Sequence, residues 1–75
     1  MNGGSNLNRK NFLTSREREI FELLVKNYDT EEIADRLHIS SKTVRNHISN
    51  VILRLDVNGR TQAIVKLIQM KELEI

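Results

Sequence analysis

A chain of 75 residues is one domain at most, and a domain this small buries a modest core that gains from a partner subunit. It has no cysteine, so disulfide staples, thiolate-bound zinc and cysteine nucleophiles are excluded, and a reducing compartment is implied. Net charge is only +2, yet residues 1–40 carry six Lys/Arg against seven Asp/Glu and residues 41–75 carry six against three, so the second half offers the better surface to a polyanion.

Few aromatic residues and no proline favour short packed helices over strands. No apolar run is long enough to span a bilayer, and the polar start is not a signal peptide; the expectation is a cytoplasmic protein with no membrane partner. Residues 1–12 read as a flexible N-terminal tail, polar through residue 11 with four Asn and Gly3-Gly4, and residues 13–75 as the domain. Arg9 and Lys10 in the tail read as solvated charge, with a phosphate contact as the alternative.

The first helix is predicted to start at Thr14, where Thr14 and Glu17 spell a capping box, and Ile20, Phe21, Leu24 and Val25 follow at helical spacing until Asn27. Thr30 is expected to cap a second, shorter helix, with Glu31 and Glu32 at the positive end of its dipole and Ile33, Ala34 and Leu37 on its apolar side. After a break at His38-Ile39, Ser40 caps a third helix that runs to about residue 55. Asp56 to Gly59 make a turn, and a fourth helix runs from Arg60 to about Met70.

The third helix carries the informative pattern. Projected at about 100° per residue, Val44, Ile48, Val51, Ile52 and Leu55 share about 100° of arc, and all are aliphatic. The remaining face presents Lys42, Thr43, Arg45, Asn46, Ser49, Asn50, Leu53 and Arg54, with no acidic side chain. A merely solvated helix face mixes both signs of charge. This one offers Arg and Asn, which pair with guanine and adenine edges, and donors for phosphate. Arg45 and Asn46, in the N-terminal half, stand where a recognition helix reaches bases. Leu53 is out of place there: either it lies past the groove or it packs under the turn near Val57.

A helix of about eight residues, a three-residue break and a longer helix with such a face is the helix-turn-helix arrangement. Ala34 is small where the two helices cross, and Ile39 can plug the space between them. His38 stands where the turn often has glycine, and histidine visits left-handed backbone more readily than most residues.

Those residues also resemble a known family. The run TEEIADRLHISSKTVRNHISN from Thr30, followed by LRL from Leu53 and by Val57, is similar to the signature of LuxR-type helix-turn-helix domains, as are LTSREREI from Leu13 and RTQAI from Arg60. The resemblance covers about Leu13 to Ile75. Within the family it is strongest to a stand-alone regulator of late spore-coat genes in sporulating bacilli. It implies an all-α, four-helix domain with a recognition helix over about 41–54 in the major groove, acting as a transcription regulator. Position by position, it implies base contacts from Arg45, Asn46 and Ser49 and phosphate contacts from Thr30, Lys42 and Thr43. Asn50, Arg54 and Arg60 are further phosphate candidates.

On the fourth helix Ala63, Ile64, Leu67 and Ile68 cover about 140° of arc, and Val65 and Met70 widen it beyond what one core needs. With the family's habit, this points to a homodimer joined through Val65, Ile68 and Met70. His47 borders the two faces of the third helix, where a phosphate contact and packing within the domain are both open. His38 and His47 lack neighbouring ligands, so no metal site or cofactor is expected. Glu17/Glu19, Glu31/Glu32 and Glu72/Glu74 are placed at helix starts or in solvent, leaving no buried acid and no catalytic pair; an enzyme is not expected. Two alternatives stand beside the DNA-binding reading. One is the effector domain of a larger response regulator; the other is a protein-interaction module that holds RNA polymerase or a partner helix.

Overall fold

The computed structural model describes residues 12–74, so most of the tail expected over residues 1–12 lies outside the described residues. Four helices follow one another: α1 (Ser15–Val25), α2 (Thr30–Leu37), α3 (Ser41–Leu55) and α4 (Arg60–Gln69). No strand occurs among the described residues. The fold is all-α, as the sequence predicts.

Local chemistry fixes where each helix begins. At α1, Thr14 Oγ1 accepts from Glu17 N (3.1 Å) and Thr14 N donates to Glu17 Oε1 (3.0 Å), satisfying two donors that the first turn leaves open. At α2 the cap is Asp29, not Thr30. Asp29 Oδ1 accepts from Glu32 N at 2.8 Å, and Asp29 N donates to Glu32 Oε1 at 2.9 Å. A D-x-x-E box closes the same two bonds as T-x-x-E and adds a carboxylate at the positive end of the dipole, which moves Thr30 into the first turn. At α3, Ser40 Oγ accepts from Thr43 N (3.0 Å). The cap of α4, Gly59, has no side chain to offer.

The core is one cluster built from Leu13, Ile20, Phe21 and Leu24, Ile33 and Ala34, Val44, Ile48, Val51 and Leu55, Ala63 and Leu67, and Leu73. α3 is central, packing on α1, α2 and α4. At its far end Lys66 Nζ donates to the Leu55 carbonyl (3.4 Å), setting a cation of α4 against the negative end of α3.

The expectation of no buried acid is overturned: Glu17, placed at a helix start, and Glu72 are both buried, each 4% exposed. Glu17 lies one turn before Ile20 and Phe21 and two before Leu24, on the same face of α1, so the helix carries it into the core. Arg54 meets it there: Nη1 donates to Oε2 (2.8 Å) and Nη2 to Oε1 (3.0 Å), a two-pronged bond between α1 and α3. Glu72 takes Arg18 Nη2 on Oε1 (2.7 Å) while Arg18 Nη1 donates to its carbonyl, which pins the C-terminal segment to α1. Phe12, counted with the tail in the sequence, ties the two pairs together. Its N–H donates to Glu72 Oε2 (3.3 Å), its carbonyl accepts from Arg54 Nη2 (2.9 Å), and its ring lies 4.8 Å beneath the Arg54 guanidinium.

Burial pushes the Glu17 carboxyl up. The Arg54 hydrogen bonds, the Thr14 N–H and the charges of Arg54 and His47 outweigh that, leaving it below the ordinary 4.5. The bond to Glu17 likewise raises Arg54 above its usual value. A carboxyl with a lowered folded pKa stabilises the fold above pH about 4.5, and that contribution disappears as pH falls through the folded value. Arg54 is 39% exposed, which screens the pair. Replacing Arg54 with Ala should therefore lower unfolding free energy in urea at pH 7 by about 1–3 kcal/mol. It should also flatten the acid limb of stability against pH. An acid limb as steep as the wild type's would mean that the pair contributes nothing.

Candidate nucleic-acid interface

The α2–α3 turn sets the pose of α3. His38 adopts left-handed backbone (φ 59°, ψ 42°), which lets the Ile39 N–H reach the Ala34 carbonyl (3.0 Å) and reverses the chain. Ile39 is half-buried against the core and Ala34 is buried, as a close crossing of α2 and α3 requires.

Four aliphatic residues, Val44, Ile48, Val51 and Leu55, seat α3, and each is at most 4% exposed. Ile52 flanks them, partly buried. Burying side chains of this size contributes about 1.5–3 kcal/mol each, so the helix can turn about its axis only by exposing them. The opposite face is thereby committed to solvent. Lys42, Arg45, Asn46, Ser49, Asn50, Leu53 and Arg54 are all exposed. The face combines three cations with two amides and has no carboxylate.

The other sequence-derived positions differ in how much they have left to give. Thr43 is half-buried, and its hydroxyl lies 2.9 Å from Ser40 Oγ within the cap. Arg54 has both terminal nitrogens on Glu17 and Phe12. Thr30 is half-buried in the first turn of α2, and Arg60 is exposed in the first turn of α4. His47 is half-buried. Leu53 does not pack beneath the turn at Val57: it is 76% exposed. Sequence reasoning missed Glu17 and Glu72 as the groups that hold this arrangement. The spacing of Glu17 to Ile20, Phe21 and Leu24 was the available signal.

A compact helical domain whose helix-turn-helix ends in an acid-free helix has the architecture of a DNA-binding transcription regulator. A family model described as bacterial regulatory proteins, luxR family, matches residues 11–67. The chain belongs to that family. It is 61% identical over 66 residues to the spore germination protein GerE of Bacillus subtilis, covering 88% of this chain and 89% of that one. It is 46% identical over 57 residues to the transcriptional regulatory protein DegU of Brevibacillus brevis, and 49% over 53 residues to the response regulator protein VraR of Staphylococcus aureus. Those matches cover 76% and 71% of this chain but 24% and 25% of the relatives, so the chain corresponds to about a quarter of their length. A solved structure titled as the transcription factor GerE superposes with a TM-score of 0.81 at 60% identity, covering 83% of this chain and 92% of that one.

Left-handed backbone costs a residue with a Cβ about 1–2 kcal/mol, and β-branching makes it worse. His38→Val should accordingly lower thermal stability by at least about 1 kcal/mol, whereas His38→Gly should leave it unchanged or higher. Equal loss in both variants would show that the imidazole, rather than the backbone, holds the turn.

Proposed function

We propose that the protein works in the cytoplasm as a homodimeric, sequence-specific regulator that lays α3 in the major groove of double-stranded DNA. The observation that carries this reading is the solvent face of α3, cationic and amide-bearing with no acid, held outward by the aliphatic seam beneath it. Arg45 and Asn46 are exposed in its N-terminal half, with Ser49 one turn on, and these read base edges. Lys42, Thr43 and Asn50 on α3, Thr30 on α2 and Arg60 on α4 hold phosphates and so set the register. Arg54 acts through Glu17, anchoring α3 from within. The identity to a spore germination protein supports a role among genes of sporulation.

The dimer reading rests on α4. Val65 is 49% exposed, and Ile64, Ile68 and Met70 are covered only in part by the subunit's own core. A second copy laid against Val65, Ile68 and Met70 removes that apolar surface from water and supplies two recognition helices for two half-sites. A protein-interaction module gripping RNA polymerase needs an apolar groove. The exposed large hydrophobics among the described residues, Leu53 and Val65, stand on different helices.

Gel shifts against random and genomic duplexes at physiological salt test the reading. Arg45→Ala should cost about 1–3 kcal/mol and relax preference at one base pair. Lys42→Ala should weaken all duplexes alike and reduce the slope of log affinity against log salt by about 0.9 per subunit. Uniform loss for Arg45→Ala would assign that residue to phosphate instead. In sedimentation, Val65→Asp should give a folded monomer that binds a two-half-site duplex more weakly; a monomeric wild type would remove the dimer.

A further inference from the structure

Leu53 is left without a partner by everything described so far. It is 76% exposed on the helix whose other aliphatic residues are buried or partly buried, and Arg54 beside it is pinned to Glu17, so its place on the surface is fixed. Lys42, Asn46, Ser49 and Leu53 are spaced four, three and four residues apart, which places them in one stripe along α3. At about 1.5 Å per residue, Leu53 lies about 10 Å beyond Asn46 along the axis, roughly three base-pair steps. With α3 laid along the groove as proposed above, a side chain at that position is within reach of base edges, and the apolar group that the major groove presents is the C5 methyl of thymine.

We propose that Leu53 is a specificity-determining residue, packing against the C5 methyl of a thymine about three base pairs from the one met by Asn46. The inference rests on the reading that α3 occupies the major groove. Leucine neither donates nor accepts a hydrogen bond, so opposite any other base it would desolvate a polar edge without replacing its water. Opposite thymine it buries apolar surface on both sides. Leu53 thus reads one position by hydrophobic contact, where Arg45 and Asn46 read theirs by hydrogen bonds.

The test uses the full chain and a duplex selected by it from a random pool. Each thymine of that duplex is replaced in turn by deoxyuridine, which removes the methyl alone, and binding is measured for the wild type and for Leu53→Ala. At one thymine per half-site, loss of the methyl should weaken the wild type about three- to fivefold and leave Leu53→Ala unaffected. Every other thymine should affect the two proteins alike. Leu53 is exposed, so the variant keeps its fold. If both proteins respond identically at every thymine, or the selected duplex has no thymine at that distance, the inference is overturned. It is overturned equally if Leu53→Ala binds DNA as the wild type does and instead loses a protein partner. Failure of the groove reading shows differently, as a wild type that selects no preferred duplex, and the inference falls with it.

Discussion

The carboxylate of Glu17 is the group on which the orientation of α3 depends. It closes the cap of α1 with one oxygen and grips Arg54 of α3 with both, from a position almost wholly out of water. An apolar residue there would fill the space as well, and buried ion pairs often contribute less stability than the apolar groups that could replace them. What the pair adds is direction. Aliphatic side chains fix which face of the helix is buried but tolerate a small shift along its axis, whereas a two-pronged bond from a guanidinium is satisfied in one geometry. The second pair, Arg18 with Glu72, does the same for the C-terminal segment, and Phe12 bridges the two through its backbone. A domain with so small a core thereby gains a frame of charged bonds around it.

That frame explains how α3 can have two incompatible surfaces. Its apolar seam and Arg54 tie the helix into the fold, whereas Lys42, Arg45, Asn46, Ser49 and Asn50 on its polar face are turned out to solvent. Those residues are consequently free to be chosen for chemistry alone. Because it lacks carboxylates, nothing on the helix repels a polyanion or neutralises Lys42 and Arg45 in advance.

Much of this was legible in the residues, because caps and periodicity are local. Thr14 with Glu17, Ser40 before the third helix, and the aliphatic spacing of Val44, Ile48, Val51 and Leu55 each act within one or two turns, and the helices lie where those signals put them. Asp29 and Thr30 are adjacent and both are good caps, but only Asp29 has a glutamate three residues on, and its reciprocal bond with Glu32 makes it the cap. The buried glutamates were misread for a different reason. A carboxylate is tolerated in a core only beside its partner, and Arg54 lies 37 residues from Glu17 and Glu72 lies 54 from Arg18. Proximity of that kind is created by the fold. The outward turn of Leu53 is similar: its neighbours on the chain left open whether it packs under the turn near Val57, and the packing of α3 leaves it exposed instead.

The bond from Lys66 to the Leu55 carbonyl has a geometric consequence for any paired form of the protein. It joins α4 to the end of α3, and with Ala63 and Leu67 buried in the common core the two helices move as one body. If two copies meet along α4, the separation of their recognition helices is a constant of the protein, like the span of a pair of calipers. DNA must then fit the instrument: one inserted base pair turns the second target about a tenth of a revolution out of reach.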